Sequence, residues 1–188
     1  MRYILFILSI LFLQGDCRKN PILPLDKISI EGFILRDNLG NQMGVNGSAG
    51  DDWKLRDWSQ FSAAERGYLD FTENIDMSNT AVTIINEPIA YPNPFTTVGA
   101  LSFYAADSVK AKLAVVNSSG QVLQSYAFKF KGYKNIALNF SDINTYPLGI
   151  GLRYYFSFSA AAQQNFKAGY GDVKKCKASS FSNPNECF

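Results

Sequence analysis

Between Ala100 and Ala160, several segments separated by turn-rich stretches carry apolar residues at every second position, and this alternation limits the fold more than any other feature of the chain. A period of two sends successive side chains to opposite faces of a strand; a helix needs a period near 3.6. Ala100 to Ala105 reads as one strand. Lys110 to Val116 reads as the next, with Lys110 and Lys112 outward against Ala111, Leu113 and Val115. Asn117-Ser118-Ser119-Gly120 has the composition of a hairpin turn. Gln121 to Lys131 then places Val122, Gln124, Tyr126, Phe128 and Phe130 on one face. Tyr133 to Phe140 and Leu152 to Ala160 alternate in the same way, and Asn165 to Val173 supplies a last strand or pair. Short strands with turns at this spacing predict an antiparallel β-sandwich.

The stretch Tyr91-Pro92-Asn93-Pro94-Phe95 separates this half from a region of different texture. Two prolines fix φ and push their preceding residues toward extended geometry, so a stiff lead-in is expected, with Asn93 bonding its own backbone in a turn. The region 28–90 before it contains Gly, Trp and one short helix. Ile28 to Arg36 alternates as a strand with a break at Gly32, and Gln42 to Val45 is a short return strand. Ser62-Ala63-Ala64-Glu65 is a capping box, so a helix should start at Ala63 and run to Phe71. Ala81 to Ile85 reads as a further strand ending before Pro88.

Composition narrows the chemistry. The chain of 188 residues is 47% hydrophobic and 18% charged, which suits a folded domain rather than a disordered one. It contains no His. Ser-His-Asp and Cys-His catalysis and His-dependent metal sites are therefore excluded. A net charge of +2 with scattered Lys and Arg does not point to nucleic acid. Asp51, Asp52 and Asp57, interleaved with Trp53 and Trp58, form the densest polar and aromatic group. Their spacing does not match an EF-hand loop. They could serve as a sugar-binding surface, although Trp is more often a buried anchor. No nucleophile and base can be paired, so we expect a protein without enzymatic activity, cofactor or metal.

Arg2 followed by the apolar run Tyr3 to Leu13 fits an export signal over residues 1–16 and is too short to span a bilayer as a helix. Leu13-Gln14-Gly15-Asp16-Cys17 resembles a bacterial lipoprotein signal, with Asp16 where that pattern has a small residue. The resemblance implies a lipid on Cys17 and an outer-membrane location, on a face left open. Three Cys in an exported chain agree with it: Cys176 and Cys187 can close a short disulfide loop over 176–188, leaving Cys17 for the lipid. Residues 17–27 would be a tether.

Tyr91-Pro92-Asn93-Pro94-Phe95, Leu101-Ser102-Phe103-Tyr104, and Val109 to Val116 with Asn117-Ser118-Ser119-Gly120-Gln121-Val122-Leu123 resemble the C-terminal sorting domain of type IX secretion cargo. The related Ig-like domains of flagellar hook-capping proteins share that order. The likeness covers residues 90–160 and implies an Ig-like sandwich over 91–175 in a Bacteroidota-type envelope protein. Asp107-Ser108-Val109 resembles the O-glycosylation acceptor of that phylum, which would make Ser108 a modification site. Three functions follow as expectations. The first is a non-catalytic outer-membrane lipoprotein that contacts another envelope protein. The second is a surface glycan-binding module using Trp53 and Trp58, and the third a type IX cargo.

Overall fold

A computed structural model describes residues 27–72, 84–160 and 163–177, with residues 163–166 as backbone only. The signal segment, Cys17, the tether up to residue 26 and Cys187 lie outside the described residues. The architecture is mainly β and antiparallel, with one short helix. In chain order come β1 (Gly32–Arg36), β2 (Gln42–Gly47), a 3-10 turn (Trp58–Gln60), α1 (Ala63–Leu69), β3 (Ile85–Tyr91), β4 (Val98–Asn117), β5 (Val122–Asn139), β6 (Gly151–Ala160) and β7 (Gln163–Lys174). β1 and β2 form a two-stranded sheet. The larger sheet runs β3-β4-β6-β7, with β5 on the other edge of β4.

The alternation sets the strands, but two segments read as pairs of strands are each continuous. β4 is 20 residues long and β5 is 18. Ala105 pairs with Gly132 and Val109 with Phe130, so β4 carries extra residues where β5 turns at Gly132, whose φ is +74°. Residues inserted on one strand bend the ribbon without ending it. The first half of β4 pairs with β3 and the second half with β6. The ribbon curls far enough to bring the two ends of β5 together: the Gln124 side-chain amide donates to the Asn139 carbonyl at 2.9 Å. Ser108 sits in this bulge and is partly exposed.

Other boundaries shift for local reasons. β3 passes through Pro88 instead of ending before it. It is an edge strand, and its register breaks between Asn86 and Ile89, where a missing N–H costs no ladder bond. The helix stops at Leu69, two residues early. Its Ser62–Glu65 capping box forms as expected. Its C-terminal carbonyls are capped from the sheet beneath: Ser157 Oγ donates to Leu69 O at 2.6 Å and Lys112 Nζ to Asp70 O at 2.7 Å. Lys112 is therefore buried rather than outward, because a cation beside a helix C-terminus satisfies orphan carbonyls.

β6 is buried on both faces. Leu152, Tyr154, Phe156 and Phe158 join the main core with Phe103, Leu113 and Phe140, while Tyr155 joins a second cluster under α1 with Tyr68 and Leu69.

Asn93 does not make a local turn. Its side chain is fully buried and donates to Ile34 O at 2.9 Å and Asp172 O at 3.0 Å. It also accepts from Lys174 N–H at 3.2 Å. One side chain thus ties β1 to β7 across the Tyr91–Phe95 stretch, in which both X-Pro bonds are cis. Asn93→Ala would leave those groups unpaired in the interior. It is expected to lower the unfolding free energy by about 2–4 kcal/mol, read by urea titration.

Candidate functional site

Among the described residues, a buried cluster of ionisable groups lies where the Ser48–Asp52 loop meets β6 and β7. Arg153 and Asp172 are direct cross-strand partners, so their side chains leave the sheet on the same face. They form a bidentate ion pair: Arg153 Nε donates to Asp172 Oδ1 and Arg153 Nη2 to Oδ2, both at 2.7 Å. Nη2 also donates to Ser29 O at 3.0 Å. Burial works against the Arg153 charge, but the hydrogen bonds and charge of Asp172 outweigh it and hold the guanidinium above its ordinary range. Burial pushes the Asp172 carboxyl up and Arg153 pulls it down. The bidentate geometry decides for the ionised pair.

Trp53 and Gly171 explain why the loop arrives here. Trp53 N–H donates to Tyr170 O at 2.7 Å, so the chain crosses the β7 edge at this point. Trp53 takes φ +64°, a left-handed conformation that a bulky residue rarely adopts. Its ring goes to the core side, stacked on Phe156 at 6.1 Å and edge-on to Tyr154 at 5.9 Å, over the bare backbone of Gly171. The preceding residue, Asp52, is left on the opposite side, beside Asp172 and Arg153.

Asp52 is 4% exposed, and its Oδ2 has no hydrogen-bond partner. Burial raises its carboxyl to about 8, helped by the nearby Asp172 charge and opposed by the Asp172 N–H and by Arg153. A cavity of about 450 Å³ opens above it, walled by Ser29, Glu31, Ser48, Asp51, Arg153 and Tyr170. Two guanidiniums lie over the Tyr170 ring, Arg153 at 4.2 Å and Arg56 at 4.7 Å. Burial likewise raises Tyr155, behind this wall, to about 12, although Arg153 pulls it down.

The structure brings together two of the five residues singled out as a ligand surface. Asp51 and Asp52 share the cavity, with Asp51 exposed and paired to Arg56 at 3.3 Å. Asp57 lies elsewhere, paired with Lys167 at 2.8 Å. Trp58 packs beside Phe61 with Arg66 over its ring at 5.8 Å. Trp53 is in the core, so the two indoles do not form one platform. Cys176 is buried, and its expected partner Cys187 lies outside the described residues. Arg153, Tyr170 and Asp172 were not anticipated. Their signal was an outward Arg on one strand and a carboxylate inside the last strand, which acquire meaning only once the register aligns them. Among the described residues no three Asp, Glu or Cys side chains are grouped to hold a metal, and no helix is long and apolar enough to cross a membrane. The chain matches no protein-family profile and no curated protein.

The Asp52 carboxyl makes a pH prediction. Its folded value of about 8 lies above the ordinary 3.8, so the unfolded chain loses the proton first. Folding takes up a proton between those values, and this group's contribution to stability falls as pH rises from about 4 to 8. Asp52→Asn removes the titration. The melting temperature of the variant minus that of the wild type should rise by about 5 °C or more between pH 5 and pH 9. A difference that stays flat over that range would show that the buried carboxyl does not titrate there.

Proposed function

We propose that the chain is a lipid-anchored protein of a bacterial outer membrane, acting without catalysis as a structural or accessory subunit in contact with another envelope protein. The observation that carries this reading is the outer edge of β5. The strand is 18 residues long, and among the described residues no strand pairs with that edge. A free edge is a template for strand addition by a partner. Tyr133, at the ribbon's bend, is 82% exposed. Lys110 and Lys129 face each other across the ladder, and Lys131 and Lys134 follow, so an acidic partner surface would complement this one. The curled ribbon and the order of motifs over residues 91–160 support an Ig-like reading of the second half, and the Leu13–Cys17 pattern supports the anchor.

The test is photo-cross-linking in intact cells. A photoreactive residue replaces Tyr133 or Val122 on β5, and another replaces Leu148 as a comparison, since all three are well exposed. The two β5 positions should give the same discrete adduct and Leu148 should not. Equal, diffuse labelling from all three would contradict the reading.

A further inference from the structure

We propose that the outer face of the β3-β4-β5 sheet binds a neutral, extended glycan of β-1,4-linked pyranoses, stacked on Tyr133 and hydrogen-bonded by the Asn135 amide. This goes beyond the contact function and does not depend on it.

The face follows from the register. Leu101, Phe103 and Ala105 are buried in the core, so Ala100, Ser102 and Tyr104 point outward on β4. Their direct partners on β5 are Ala137, Asn135 and Tyr133, and on β3 Tyr91 stands opposite Ala100. None of these side chains carries a charge, in a chain that is 18% charged. An ionic ligand finds no complement here, whereas a neutral one covers the face without stranding an ion.

Two features go past bare exposure. The first is an aromatic pair. The Tyr104 and Tyr133 rings lie 4.8 Å apart at 50°. Tyr104 supports one side of Tyr133, which is still 82% exposed. A ring held by a neighbour, with its other face in water, is a platform for the apolar C–H face of a sugar. No such face is offered by Trp53, which is in the core, or by Tyr170, whose ring lies under two guanidiniums.

The second feature is a relay of hydrogen bonds. Ser102 Oγ donates to Asn135 Oδ1 and lies 3.0 Å from the Tyr91 hydroxyl. Ser102 has one proton to give, so Tyr91 donates to Ser102 and Ser102 to Asn135. The relay crosses all three strands and fixes the amide with its oxygen spent. Among the described residues no acceptor takes the Asn135 NH2 group, which is left as a donor on an exposed side chain. Because its orientation is already set, less entropy is lost when a ligand binds.

Spacing chooses the ligand. Tyr133 and Asn135 are two residues apart on one strand, about 7 Å. A pyranose stacked on the tyrosine therefore brings hydroxyl oxygens of its own edge, or of the next ring, to the amide donor. Equatorial β-1,4 linkages keep successive rings in one flat ribbon that can lie along the sheet past Ala100 and Ala137. An α-1,4-linked chain coils and would touch the face one ring at a time.

The probe is cellohexaose, titrated by calorimetry into the intact folded protein at pH 7. Saturable binding is expected with a Kd of about 1 mM or below. It should stay within twofold between about 0.05 M and 0.5 M salt, because no ion pair forms. Maltohexaose, the same sugar at the same length but α-linked, should bind at least tenfold more weakly. Tyr133→Ala should weaken cellohexaose binding about tenfold, and Tyr133→Phe, which keeps the ring, should stay within twofold. Asn135→Asp keeps the acceptor that Ser102 uses and removes the NH2 group; it should lose about three- to tenfold. Both positions are exposed, so these variants leave the fold intact. Absence of saturable cellohexaose binding by the wild type, equal affinity for maltohexaose, or unchanged binding by Tyr133→Ala would each overturn the proposal. The first of these, with a discrete protein adduct still formed from position 133 in cells, would assign this face to a protein partner instead.

Discussion

Gly171→Ala is expected to destabilise the protein by about 3 kcal/mol or more, although it adds a single methyl group. A Cβ at position 171 would overlap the six-membered part of the Trp53 indole, and the colliding atoms belong to a ring that cannot give way. That ring is stacked on Phe156, and the Trp53 backbone is tied to β7 through the Tyr170 carbonyl. Overpacking typically costs about 1–3 kcal/mol when neighbours can shift, and more when they cannot. Gly171 has no positive φ, so the requirement is for space rather than for backbone freedom. The partner experiment is Trp53→Ala, expected to cost about 3–5 kcal/mol through the cavity it leaves. Once the indole is gone, adding Gly171→Ala should cost almost nothing more, giving strong non-additivity in a double-mutant cycle. If Gly171→Ala unfolds within about 0.5 kcal/mol of the wild type, the indole does not lie where the structure places it.

Arg153→Leu should be comparably damaging for a different reason. It strands Asp172, which is 2% exposed, as a buried carboxylate without its cation. It also removes the bond to Ser29 O and the contact with Tyr170. Breaking a buried pair by removing one partner costs about 3–5 kcal/mol. The deficit should depend on pH in a defined direction. Without Arg153, burial alone acts on Asp172 and raises its folded value above the unfolded one. Stability is then lost as pH rises, and the variant should recover part of its deficit at pH 4–5 relative to pH 8. Arg153→Leu with Asp172→Leu should be more stable than Arg153→Leu alone, because the orphaned charge is gone. A loss below about 1 kcal/mol in Arg153→Leu, insensitive to pH, would mean that the pair is solvated.

Period-two alternation made the strands of the second half legible, because it reports which face each residue takes. It could not report that Ala100–Ala105 and Lys110–Val116 are one strand. Polar residues at 107 and 108 look the same in a turn and in a bulge, and only the pairing with Gly132 separates the two. Lys112 misled for a related reason. A lysine in an alternating strand reads as outward until a helix end arrives over it to accept its hydrogen bond. The Ser62–Glu65 capping box was legible because every group it uses lies within four residues. The cavity was half legible. Asp51 and Asp52 stood out as a local acidic pair, while Arg153 and Asp172 meet across the β6–β7 ladder, and Asn93 joins strands far from it in sequence. Contacts of long sequence separation leave no local periodicity to read.

The claim on which the functional reading rests is that a lipidated cysteine holds this β body at an outer membrane. The intact mass of the mature protein, purified in detergent from its native cells, tests it most directly. The account predicts a chain beginning at Cys17, heavier by a diacylglycerol and a fatty acyl group and lighter by the hydrogens lost in a Cys176–Cys187 bridge. A soluble chain starting beyond Cys17 and carrying no lipid would contradict it.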